Sequence, residues 1–154
     1  MQNKDLTEVV NYVVNRSIKL KNKYTKETTI PIEFACIFSQ DDKEYQEFSE
    51  TIKKLGKVVQ NTPTGYTFKL NSPIKTKAGM LKLVKIRKPD PLRKERGDVD
   101  FNTNYSKFKI KYQNKPQFEL IDRDNFEMLR LSDPKFDTMV CFSSIPLSEG
   151  LNQK

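Results

Sequence analysis

One order of elements can be read twice along this chain, and that repetition restricts the fold more than any other feature. Residues 32–39 form an apolar run of strand type. Residues 41–55 then place Tyr45, Phe48, Ile52 and Leu55 on one helical face, with Gly56 as the stop. Strands follow at 57–60, 66–70 after the Pro63-Thr64-Gly65 turn, and 80–87 after a polar loop containing Pro73 and Gly79. Pro89-Asp90-Pro91 breaks the pattern and Gly97 closes the linker. The order then returns: a strand at 98–103, a helix at 105–113 with Phe108 and Tyr112 inward, and strands at 118–122, 126–131 and 138–143. Corresponding elements lie roughly 60 residues apart, so a βαβββ unit is expected twice.

Before the first unit, residues 3–24 read as an amphipathic helix, with Leu6, Val9, Val10, Val13, Val14 and Ile18 at three- and four-residue spacing. Asn3 or Asp5 can cap it, and its apolar face either covers the sheets or serves a homodimer contact. Residues after Pro146 read as a loose tail. The expected fold class is α+β: tandem βαβββ modules at 32–88 and 98–146 with mostly antiparallel, curved sheets. The N-terminal helix at 1–24, the linker at 89–97 and the tail at 147–154 complete the division.

Charge is distributed as unevenly as structure. Residues 69–96 hold ten basic and two acidic side chains while the rest of the chain carries eighteen of each, so the whole net charge of +8 lies in that stretch. A local positive field on a neutral body marks a place for something anionic. Lys85, Arg87, Arg93, Lys94 and Arg96 are the candidate ligand-binding residues, the arginines able to fork onto a phosphate or carboxylate. The partner is then an anionic small molecule, an acidic protein or a nucleic-acid backbone; the competing reading is a solvated loop. Tyr66, Phe68, Phe101 and Tyr105 flank the segment, as core residues or as stacking platforms for bases.

The chemistry left to the chain is narrow. It has no histidine, which removes the commonest general base and metal ligand. Cys36 and Cys141 sit in apolar strands and read as free buried thiols. No apolar run approaches the roughly 20 residues of a bilayer span, and the first residues lack a secretory pattern, so the expected location is cytoplasmic. Asp98 and Asp100, two apart on a strand, share a face. That spacing suits a weak Mg²⁺ site or an acid–base pair, or simply ion pairing to Arg93 and Arg96 that orders the linker. Asp122, Asp124 and Glu127, interleaved with Arg123 and Arg130, read as cross-strand ion pairs. Pro89-Asp90 followed by Asp133-Pro134-Lys135 superficially fits a metal-dependent nuclease pattern, but Pro134 makes the segment a turn rather than a strand.

The tandem βαβββ order resembles the vicinal oxygen chelate superfamily, which includes glyoxalase I, extradiol dioxygenases and bleomycin-resistance proteins. Residues 34–56 look like that family's opening strand, acidic turn and helix ending in Leu-Gly, and Leu131-Ser132-Asp133-Pro134 looks like its turn before the final strand. Metal-using members carry His and Glu ligands at strand positions that fall here at Phe34, Asp98 and Val140. One carboxylate among apolar residues cannot hold a catalytic metal. The resemblance therefore implies a bleomycin-resistance-like binding protein, non-enzymatic, with no metal or other cofactor. A nucleic-acid-binding accessory protein is the alternative, and a metal-dependent enzyme using Asp98 and Asp100 the third reading.

Overall fold

The computed structural model describes residues 5–152. Helix α1 (Leu6–Tyr24) starts where the Asp5 carboxylate accepts from the Thr7 N–H at 3.4 Å; Asn3, the other candidate cap, lies outside the described residues. Leu6, Val9, Val10, Val13 and Val14 are buried at the expected helical spacing, each contributing about 1.5–3 kcal/mol of apolar burial, while Ile18 is only partly buried and Leu20 joins the core in addition.

Eight strands follow: β1 (Ile32–Phe38), β2 (Gly56–Thr62), β3 (Gly65–Thr76), β4 (Gly79–Arg87), β5 (Gly97–Phe101), β6 (Phe118–Asp122), β7 (Glu127–Leu131) and β8 (Thr138–Ser143). Between them lie α2 (Asp42–Leu55), capped by Asp41, and α3 (Tyr105–Tyr112), capped by Asn104. The fold is α+β, with one open sheet ordered β2-β3-β4-β1-β5-β8-β7-β6. Only β1–β4 and β5–β8 are parallel, and the other five pairings are antiparallel. The antiparallel β1–β5 seam lies at the centre of the sheet.

Strand alternation sorts the side chains onto two faces. Ala35, Ile37, Val84, Ile86, Val99, Val140 and Phe142 join the core beneath α1, α2 and α3. There Phe108 stacks on Phe142 at 4.0 Å and lies 4.6 Å from Tyr112, closing the core under α3. The residues between them face the other way: Phe34, Cys36 and Phe38 on β1, Lys85 and Arg87 on β4, Asp98 and Asp100 on β5, Met139 and Cys141 on β8. Phe68 and Phe101 are core residues, as one of their two readings held; Tyr66 is 40% exposed with its ring edge against Phe68.

Two expectations are corrected. The polar loop placed after Leu70 is strand: β3 continues to Thr76, and the pairing with β4 skips between Lys69 and Ile74. Pro73 lies in that irregularity, where its missing N–H costs no ladder bond. Nor is the segment after Pro146 a loose tail. It forms the short helix α4 (Leu147–Asn152), held because the Ser148 N–H donates to the Glu33 carboxylate at 2.7 Å while Leu147 and Leu151 turn onto the sheet. Residues 153–154 of that tail lie outside the described residues.

The turn holding Asp133 ties β7–β8 to α1. Its carboxylate accepts from the Tyr24 hydroxyl, the Lys23 ammonium at 3.0 Å and the Lys135 N–H at 2.9 Å. Those donors, Tyr24 first, hold its carboxyl well below the usual range. Asp133 is thus spent on structure.

Candidate functional site

The face of the sheet opposite α1, α2 and α3 carries a cavity of about 870 Å³. That volume lies within the range of small-molecule sites. Its floor is the central seam, and its walls are the β2–β3 hairpin on one side and β7 with residues 123–126 on the other. Leu147 and Leu151 of α4 close one end; Leu151 also lines a second cavity of about 630 Å³, so α4 crosses between the two.

Register explains the arrangement of charge on the floor. Lys85, Cys36, Asp98 and Met139 are successive partners across β4, β1, β5 and β8. Phe34, Asp100, Cys141 and Arg130 make the adjacent row across β1, β5, β8 and β7. Carboxylates therefore occupy the centre, and cations stand two strands away on either flank.

Each cation has a different hold. The Lys85 ammonium donates to the Thr62 and Thr64 hydroxyls at 2.9 and 2.6 Å, and burial lowers its pKa. Arg87 lies over the Phe38 ring at 4.9 Å and pairs with Asp90 at 3.1 Å. Asp90 also shapes the linker: its carboxylate accepts from the Leu92 N–H and its carbonyl from the Arg93 N–H, both at 2.9 Å. The curl brings Arg93 over the cavity, where its guanidinium meets the Met139 sulfur at 3.9 Å. Arg130 pairs with Glu119 at 2.9 Å. Among the described residues, Lys85, Arg93 and Arg123 have no carboxylate within ion-pair distance.

Three of the five sequence candidates, Lys85, Arg87 and Arg93, line the cavity; Lys94 and Arg96 do not. Lys94 is exposed. Arg96 grips both Glu44 oxygens and the Phe38 carbonyl, packs over Phe48, and so fastens α2 to the end of β1. Sequence reasoning missed Arg123, taken as a partner for its neighbouring carboxylates. Glu127 instead pairs with Lys109 at 2.7 Å and accepts from the Tyr105 hydroxyl.

Asp98 and Asp100 face the cavity, and the expected ion pairing to Arg93 and Arg96 is not formed. Burial pushes Asp98 up to about 6, against the pull of Arg87 and Lys85. Burial and the neighbouring Asp98 charge push Asp100 up to about 8, although the Ser143 hydroxyl donates to it at 3.1 Å. Both cysteines are free and buried, and burial raises both thiols.

The metal position of the resembled superfamily can be tested on these side chains. Val140 belongs to the core on the helix side, so β8 presents Met139, Cys141 and Ser143 to the cavity instead. Among the described residues no three His, Cys, Asp or Glu side chains converge. The donors present do not fit a catalytic ion.

No known protein family matches the chain. No curated protein matches it either. Among solved structures, the structural-genomics protein EC4020 is similar over 100% of this chain and 98% of its own, with a TM-score of 0.71 at 12% identity. That likeness shows the fold alone. Among the described residues no helix is long and apolar enough to cross a membrane.

Proposed function

We propose that this chain is a non-enzymatic binding protein built from two βαβββ modules of the bleomycin-resistance type. It holds a carboxylated or phosphorylated small molecule on the open face of its sheet, without metal, in the cytoplasm. The strand order favours the modular reading, since it runs outward from the β1–β5 seam in the same sequence on both sides. One observation carries the ligand class: Lys85 and Arg93 project into a large cavity without a carboxylate to neutralise them. Such cations gain most from an anion delivered into the same desolvated space. Phe34, Phe38, Phe126 and Met128 supply apolar surface for the body of the ligand. The inward setting of these cations favours a small molecule over a nucleic-acid backbone, which needs charge along an exposed track.

A thermal-shift screen of phosphorylated and carboxylated metabolites tests the reading. At least one should raise the melting temperature by several degrees, about 2.7 kcal/mol being expected at a hundredfold excess over Kd. Lys85→Gln with Arg93→Gln should abolish the shift, whereas Lys94→Gln should leave it intact. A silent panel, or a shift that survives the double substitution, overturns the assignment. Oligonucleotide binding with a log–log salt slope near −0.7 to −0.9 per phosphate would replace it with the nucleic-acid reading.

A further inference from the structure

The cavity holds charges of both signs, and they do not neutralise each other. Asp98 lines the floor yet accepts no hydrogen bond and makes no ion pair among the described residues. Asp100, beside it, is served by Ser143. Arg87, Lys85, Arg130 and Arg93 all act on Asp98 through space, and each is held elsewhere by its own contacts. The register explains the separation: Cys36 stands between Lys85 and Asp98 in one row, and Cys141 stands between Asp100 and Arg130 in the next. Each cation is thus about 9–10 Å from its carboxylate at the level of the backbone, two strand spacings apart. Uncharged side chains, Cys36 and Cys141, occupy the interval, and the cations are turned to their own partners instead. Asp98 is half-buried at the cavity floor, and with no donor or ion-pair partner from the fold its partly desolvated carboxylate would gain from a cationic group delivered by a ligand.

From this geometry we infer that the ligand is a zwitterion: its acid group meets Lys85 and Arg93, and a primary ammonium meets Asp98. The inference rests on the anion-binding reading above and adds the second charge. The site carries its negative charge on the central strand β5 and its unpaired cations Lys85 and Arg93 beside it, so a ligand bearing both an acid group and an ammonium is held at both while its body covers Phe34 and Cys36. Ligands bearing an acid group alone leave Asp98 unmatched and add a second negative charge to its surroundings, so they are discriminated against.

Matched pairs test this by calorimetry: O-phosphoethanolamine against ethyl phosphate, and phenylalanine against 3-phenylpropionate. In at least one pair the amine should bind at least about tenfold tighter, and Asp98→Asn should erase that preference while retaining the amine-free partner. Asp98→Ser provides a second variant should the first fold poorly, with circular dichroism verifying both. Equal or tighter binding of the amine-free members, or a preference that survives both substitutions, overturns the inference and leaves the anion-binding reading standing. Failure of all four probes overturns it too, and the wider metabolite screen then decides the anion-binding reading separately.

Discussion

Replacing Asp98 and Asp100 together by Asn should make the protein more stable at pH 8, and the size of the gain follows from where these carboxylates sit. Burial moves Asp98 from 3.8 to about 6, and burial with the Asp98 charge moves Asp100 to about 8. A carboxyl whose native value exceeds its unfolded value holds its proton more tightly in the folded state. Stability is then fully present below the unfolded value and is lost as pH rises through the native one. The window runs from about pH 4 to about pH 8. Each unit between the two values is worth about 1.4 kcal/mol, so Asp98 alone costs about 3 kcal/mol once it is ionised. Asp100 costs at least as much, but the two groups feel each other and their penalties do not add. Asn keeps the shape and brings an amide that also wants partners, so a net gain of about 2–4 kcal/mol at pH 8 is expected, shrinking toward nothing near pH 4. Urea unfolding of wild type and variant at three pH values measures it. Parallel pH profiles, or a variant less stable at pH 8, would refute the reasoning.

Two further outcomes separate structure from site. Arg96→Ala should cost about 2 kcal/mol by denaturant unfolding, because it strands Glu44 and frees the start of α2, yet leave ligand-induced melting shifts unchanged. Gly65→Ala should cost about 2–3 kcal/mol in the same assay: φ there is +149° and a Cβ would meet the Ile86 carbonyl oxygen at 2.2 Å.

Elements with strong local signals were legible in the sequence. Strands β6 and β8 fall where the sequence puts them, α2 ends where Gly56 predicts, and α3 ends at Tyr112, one residue before its expected end. What failed had a physical cause in each instance. Pro73 reads as a strand breaker, but β3 carries it in an irregular stretch of its pairing. Helix α4 offers only Leu147 and Leu151 as a periodic signal, and its stabilising contact is with Glu33, far away in the chain. For the site, the period-2 rule set Asp98 and Asp100 on one face, and the charge count pointed to Lys85, Arg87 and Arg93. It could not reveal that Arg96 belongs to Glu44, 52 residues distant, or that Arg123 turns into the cavity. Long-range partners decide those cases, and local pattern does not encode them.

The central seam also bears on how the chain can be divided. Ala35, Cys36 and Ile37 of β1 satisfy one side of their backbone on β4 and the other on β5. A fragment ending at Arg87 would bare that second side as an apolar strand edge, free to recruit any extended peptide. Cutting in the linker should therefore yield insoluble pieces rather than two independent folding units. Co-expressed halves should do better, since each supplies the strand that shields the other.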